Sequence, residues 1–270
     1  MIFQDAEAFL AEVESIARLG GQQLMAHWRS LEASEVTEKA RNDLVSTADL
    51  ASEKAILSAV RERFPDHTVL SEEAGWSGPA GSAPTWIVDP LDGTTNFVHG
   101  VPQFAVSIGV AVDGQLQVGV ILDPCKGDLF SAVRGHGAHW NGNPCRVSSR
   151  SGLEGALLAT GFPFRAHDVL DAYLAIFRDV FLRCKAIRRP GAAALDLAYT
   201  ACGLFDGFFE FKLSAWDIAA GALLVEEAGG VITDMQGGAN YLDSGDVVCG
   251  PAGVHRELLE IIARHNENWR

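Results

Sequence analysis

Between Asp5 and Trp28 the apolar residues Phe9, Val13, Ile16, Ala17, Leu24 and Trp28 recur at intervals of mostly three and four, a spacing that predicts an amphipathic opening helix. Polar residues then dominate from Ser34 to Ala48, and this stretch, which carries Lys39, Asp43 and Thr47, reads as a loop. Helical spacing resumes through Leu50, Leu57, Val60 and Phe64 and stops at Pro65. Thr68 to Ser71 and Thr85 to Val88 are short runs of strand-forming residues. Gly75 to Pro84, between them, is so rich in Gly, Ser and Pro that it reads as a flexible surface loop with no regular element. Phe104 to Val112 and Gln115 to Leu122 are strand-like and joined by Asp113-Gly114, a strong hairpin signal, so an antiparallel sheet is expected in the first half.

Past residue 150 the pattern changes. Helical spacing over Val169 to Leu182, Ala192 to Cys202, Ala215 to Glu227 and near Val254 to Arg264 alternates with strand-like Gly207 to Phe211, Val231 to Thr233 and Val247 to Cys249. The expected organisation is an α+β half over residues 1–150 and a layered α/β half over residues 151–270. No repeat of fixed period interrupts this reading.

Composition narrows the class. A chain of 270 residues with 48% hydrophobic and 21% charged residues is globular and long enough for a large core, which sets aside disordered and coiled-coil architectures. The run from Phe104 to Val112 is broken by Ser107 and Gly109 and falls far short of the roughly 20 residues of a membrane helix. Asp5, Glu7, Glu12 and Glu14 stand where a secretory signal would be basic, so a cytoplasmic protein without a membrane partner is expected. With 35 acidic against 21 basic residues the net charge is -14, which repels phosphate backbones, and no direct nucleic-acid partner is expected. Cys125, Cys145, Cys184, Cys202 and Cys249 are dispersed without a CxxC pair and suit reduced thiols packed as small core residues.

Three acidic clusters sit where a predicted strand ends or a helix begins: Glu72-Glu73, Asp89-Pro-Leu-Asp92-Gly-Thr94, and Trp216-Asp217-Ile-Ala-Ala-Gly221. Singly they have ordinary readings as solvated glutamates, a turn and a helix cap. The middle cluster demands more, because Trp86-Ile-Val88 drives a buried strand up to Asp89. Pro90 fixes its φ, Gly93 permits a left-handed backbone near a ligand, and Thr94 and Thr95 add hydroxyls. Two carboxylates about 4 Å apart repel by about 4 kcal/mol at an effective dielectric near 20, so several gathered together call for cations. Oxygen-only donors point to magnesium or manganese. There is no GxxxxGK[ST], no GxGxxG after a strand, no HExxH and no EF-hand spacing.

In this order and spacing, Glu72-Glu73, Asp89-Pro-Leu-Asp-Gly-Thr-Thr-Asn-Phe97 and Trp216-Asp-Ile-Ala-Ala-Gly221 resemble the inositol monophosphatase family of lithium-sensitive, metal-dependent phosphatases, from about residue 5 to about residue 265. The resemblance implies an αβαβα layered sandwich, usually a homodimer, that hydrolyses a small-molecule phosphate ester with two to three Mg2+ ions, Mn2+ being a possible substitute. It implies that Glu72, Asp89 and the Leu91 carbonyl hold a first ion, that Asp89, Asp92 and Asp217 hold a second, and that a weaker third lies near Glu72 and the loop around Lys39. Glu72 and Thr94 would then orient and activate a metal-bound water, Asp49 would support Thr94, and the N–H groups of Gly93 and Thr94 would hold the phosphate. Gly191, Ala193 and Glu210 match positions that meet the alcohol portion, and Arg188 or Arg189 could meet a second anion. Ser71 and Pro190 depart from the usual pattern without removing a ligand. The run Gly93-Thr-Thr-Asn-Phe97 is closer to the inositol-phosphate branch than to nucleotide phosphatases, so inositol 1-phosphate is the expected substrate. Histidinol phosphate, fructose 1,6-bisphosphate and glycerol 2-phosphate stay open, as does a binding or regulatory protein with a vestigial site.

Overall fold

A computed structural model describes residues 5–40, 43–79, 83–164 and 166–265. Its elements in chain order are α1 (Ala6–His27), β1 (Val36–Ala40), β2 (Asp43–Ser46), α2 (Thr47–Arg63), β3 (Thr68–Ser71), β4 (Gly75–Ser77), β5 (Thr85–Asp92), α3 (Thr94–Val98), β6 (Ala105–Val112), β7 (Gln115–Asp123), β8 (Asp128–Val133), β9 (Gly137–Trp140) and β10 (Asn143–Cys145). There follow β11 (Leu157–Thr160), α4 (Leu170–Phe181), β12 (Ala186–Arg188), α5 (Ala193–Ala201), β13 (Gly207–Glu210), α6 (Ala215–Glu227), β14 (Val231–Thr233), α7 (Tyr241–Ser244), β15 (Val247–Gly250) and α8 (Ala252–Ala263).

Eight strands form a large sheet in the order β10-β9-β8-β7-β6-β5-β3-β4, and five form a smaller one in the order β12-β11-β13-β15-β14. Three apolar cores hold five layers together. α1 and α2 cover one face of the large sheet through Val13, Ile16, Leu24, Ile56 and Val60. α5 and α6 fill the space between the sheets, where Leu197, Ile218 and Leu223 meet Phe130 on one side and Phe208 on the other. α4 and α8 close the outer face of the small sheet with Tyr173, Ile176 and Leu258. The result is the expected αβαβα sandwich, and no helix among the described residues is long and apolar enough to cross a membrane.

Two loop expectations give way. Part of Ser34–Ala48 is the β1–β2 hairpin, with Val36 opposite Ser46 and Glu38 opposite Leu44, and Thr47 already opens α2. Four of the five β1 residues are exposed, so the strand carries no apolar alternation to read. Gly75–Ser77 is also a strand, paired antiparallel with β3 at the sheet edge, while residues 80–82 of that expected loop lie outside the described residues. Strands β8 to β12 add pairing that the apolar pattern did not indicate.

The middle helix layer needs two glycines. A Cβ on Gly109 would stand 2.7 Å from Ala219 Cβ, and one on Gly119 would stand 2.7 Å from the Ala220 carbonyl oxygen. α6 therefore lies directly on the backbone of β6 and β7, which brings its first turn to the end of β5. Gly119→Ala should push α6 off the sheet and cost about 1–3 kcal/mol. A thermal melt should show a midpoint several degrees lower, and an unchanged midpoint would mean that the contact is not tight.

Candidate functional site

The site is built where β5 stops being regular. Along a strand, residues three apart face opposite sides, yet Asp89 pairs with Ser107 and Asp92 with Ala105, so β5 spends one residue more than β6 over this interval. This bulge, at Pro90-Leu91, turns both carboxylates toward one side. Gly93 then takes φ 90°, a left-handed value that suits glycine, and caps α3. Asp217 arrives from the first turn of α6, where its Oδ2 accepts the Ser214 N–H at 2.7 Å in a capping box. One oxygen from each of Asp89, Asp92 and Asp217 lies within 4.8 Å of the others.

Each carboxylate is held by the backbone. Asp89 Oδ1 accepts the Leu91 N–H at 2.9 Å, and Asp92 Oδ2 accepts the Ala194 N–H at 2.8 Å from the start of α5. Thr94 Oγ1 lies 3.0 Å from Asp49 Oδ1 and 3.1 Å from the Leu91 carbonyl oxygen. Asp49 is fixed in turn, because its Oδ2 accepts the Ser46 N–H at 2.8 Å and the Ser46 hydroxyl at 2.6 Å. Lys39 reaches in from β1 and donates to Glu72 at 3.1 Å and Glu73 at 2.6 Å.

Glu72, Asp89, Leu91, Asp92, Gly93, Thr94, Gly191, Ala193, Glu210 and Asp217 all line one cleft of about 490 Å³. Lys39 and Asp49 stand behind it, joined to Glu72 and Thr94. Glu210 ends β13, and a Cβ on Gly161 would stand 1.8 Å from its Oε1, so the carboxylate lies where only a glycine leaves room. Arg189 also lines the cleft, its guanidinium 5.6 Å from the Phe162 ring centre and 4.9 Å from that of Phe164. Arg188 is exposed on β12.

Burial, followed by the neighbouring charges, makes this an expensive place for negative charge. Burial pushes the Glu72 carboxyl up to about 7; Lys39 opposes the rise, and Asp217 and Glu73 add to it. Asp92 is raised to about 8 by burial and then by Asp217, against the Ala194 hydrogen bond. Asp89 is raised well above the carboxylate range by burial and then by Glu72, Asp217 and Asp92. Burial also lowers the Lys39 ammonium, but its bonds to Glu73 and Glu72 outweigh this and leave it raised. Three oxygen donors that repel one another in a buried pocket fit a hard divalent cation, which would neutralise them without protons.

Several supporting roles were not legible in the motifs. Ser71 Oγ donates to the buried Glu53 carboxylate, which also accepts the Glu73 and Ala74 N–H groups at 3.2 Å and 2.9 Å and so fixes the glutamate pair. The only signal was an acidic residue on the apolar side of α2. Asn96 Nδ2 lies 2.8 Å from the Gln103 carbonyl, 2.9 Å from that of Pro190 and 3.1 Å from that of Gly191, tying the start of α3 to the cleft rim. Asp196 is buried in α5 with Oδ1 unpartnered among the described residues, and burial, then Glu210 and Asp92, raises its carboxyl.

The profile of the inositol monophosphatase family matches residues 5–268. A relative from Pseudomonas aeruginosa called Nus factor SuhB is 47% identical over 253 residues, 92% of this chain and 93% of that protein. The crystal structure of extragenic suppressor protein suhB from Bartonella henselae superposes with a TM-score of 0.90 at 40% identity, covering 94% of this chain and 98% of that one. An inositol monophosphatase from Anabaena superposes at 0.85 with 36% identity, covering 96% of each chain.

Proposed function

The chain belongs to the inositol monophosphatase family, and from that premise we propose that it is a Mg2+-dependent phosphomonoesterase acting on a small polyol or sugar phosphate, inositol 1-phosphate first among them. The convergence of Asp89, Asp92 and Asp217 within 4.8 Å, in a cleft that also holds Glu72 and Thr94, carries this reading. Glu72, Asp89, the Leu91 carbonyl, Asp92 and Asp217 would hold two ions, and the Lys39 side of Glu72 would offer a third place. Bound Mg2+ supplies charge stabilisation at the phosphoryl oxygens and lowers the pKa of water.

The protein's own groups do the positioning. The Thr94 hydroxyl donates to Asp49, which leaves its lone pairs to accept a hydrogen bond from water in the cleft. The Gly93 and Thr94 N–H groups, at a helix start where no intrahelical acceptor exists, face the phosphate. Glu72, held by Lys39, takes up the proton that hydrolysis releases. Gly191, Ala193 and Glu210 meet the leaving alcohol. A cytoplasmic homodimer inhibited by Li+ completes the reading.

The test is phosphate release from inositol 1-phosphate, histidinol phosphate, fructose 1,6-bisphosphate, glycerol 2-phosphate and adenosine 3',5'-bisphosphate, with and without Mg2+, and with millimolar-order Li+. Mg2+-dependent release from the first, well above the others, is expected. No release from any ester by folded, Mg2+-loaded protein would count against the enzyme reading.

A second reading is favoured by the name of the Pseudomonas aeruginosa relative, which is a Nus factor. A Nus-factor role here would bring a macromolecular partner, and the net charge of -14 favours a protein contact over a bare phosphate backbone. That role would survive an inactivating change in the acidic cleft.

A further inference from the structure

Cys145 closes β10 and Cys202 caps α5, 57 positions later, yet Cys202 Sγ lies 2.8 Å from Cys145 Sγ and donates to it. The two sulfurs are within about 0.8 Å of disulfide bond length. Backbone proximity agrees independently: a Cβ on Gly203 would stand 3.1 Å from the Arg146 carbonyl oxygen and 3.2 Å from the Ser148 nitrogen. The chain just after each cysteine therefore runs close to the chain just after the other, so little backbone movement is needed to bring the two sulfurs into a bond. Both thiols are half-buried. Cys125, Cys184 and Cys249 have no thiol neighbour of this kind among the described residues.

We propose that Cys145 and Cys202 are a reversible redox modification site that closes to a disulfide on meeting a low-molecular-weight disulfide. Cys145 sits on the edge strand β10 between exposed Pro144 and exposed Arg146, so it meets the small disulfide first and is the attacking sulfur, while Cys202, at the end of the buried helix α5, is the resolving one; the contact with Cys202 also lowers the Cys145 thiol. Cys145 loses its proton to solvent and attacks one sulfur of oxidised glutathione, releasing one glutathione thiolate and leaving a mixed disulfide. Cys202 then loses its proton and attacks the Cys145 sulfur, and the second glutathione thiolate leaves. Two protein thiols give up two electrons and two protons, and one small disulfide becomes two thiols. The bridge staples the C-terminal end of α5 to the edge strand of the large sheet, on the helix whose first turn holds Asp92. It is a stabilising link, because it closes a long loop of the unfolded chain.

The experiment treats the full-length protein with oxidised glutathione and reads intact mass, non-reducing peptide maps and melting midpoint. The expected product has lost about 2 Da, one disulfide's worth of hydrogen, joins the Cys145 and Cys202 peptides, melts several degrees higher and reverts with dithiothreitol. Cys202→Ala should stop at a single glutathione adduct on Cys145, with no rise in midpoint. A persistent adduct on the wild-type protein without the cross-link, a first bridge through Cys125, Cys184 or Cys249, or thiols that stay unmodified would each overturn the proposal.

Discussion

Asp92→Asn should reduce Mg2+-dependent phosphate release by on the order of 10³-fold or more, equivalent to about 4 kcal/mol of lost transition-state stabilisation. The carboxylate has an oxygen within 4.8 Å of one from each of Asp89 and Asp217, and it accepts the backbone N–H of Ala194. Asparagine keeps an oxygen for that N–H but removes the negative charge that a divalent ion needs, so coordination is lost while the local fold is spared. In metal-free protein the change should leave the melting midpoint equal or raise it, because one source of repulsion toward Asp89 and Asp217 disappears. Steady-state assays at saturating Mg2+, with a melt as the folding control, separate loss of chemistry from loss of fold. An undiminished Mg2+-dependent rate would show that Asp92 is not a ligand.

Much of the scaffold that carries Asp92 was legible because it is apolar and periodic. α6, Ala215–Glu227, and β14, Val231–Thr233, fall where their hydrophobic spacing places them. Asp113-Gly114 turns as expected, with φ of 50° and 76°. Elements stabilised by a few polar contacts left no such trace. β1 exposes most of its length and matters because Lys39 reaches Glu72, and β4 is a sheet edge whose Trp76 is 69% exposed. The acidic motifs, through the resemblance they carry, assigned Asp89, Asp92 and Asp217 to one site, and the three do converge, but the motifs did not reveal the backbone device that joins them. Their spacing, three residues from Asp89 to Asp92, would place them on opposite faces of a regular strand, and only the bulge brings them together. Glu53 and Asn96 work through hydrogen bonds to residues distant in sequence, which no local pattern encodes.

The same crowding makes the metal-free protein sensitive to pH in a defined direction. Glu72 and Asp92 rise from 4.5 and 3.8 to about 7 and about 8 in the fold, so between these limits the folded protein holds protons that the unfolded chain has released. Unfolding then sheds protons, and raising the pH favours it. This contribution to stability is full below the unfolded values near 4, falls as pH rises through the folded values, and levels off above them. Mg2+ competes with those protons, so its affinity, and with it the stability it adds, should grow over the same window. At about 100 times its dissociation constant a ligand adds about 2.7 kcal/mol, or roughly 5–10 °C for a domain of this size. Melts of chelator-treated protein with and without fixed Mg2+ should therefore show a shift of that order at pH 8.5 and a small one at pH 5. An equal shift at both values would mean that the bound ion does not replace protons on these carboxyl groups, and the acidic cleft would lose its claim to be the Mg2+ site.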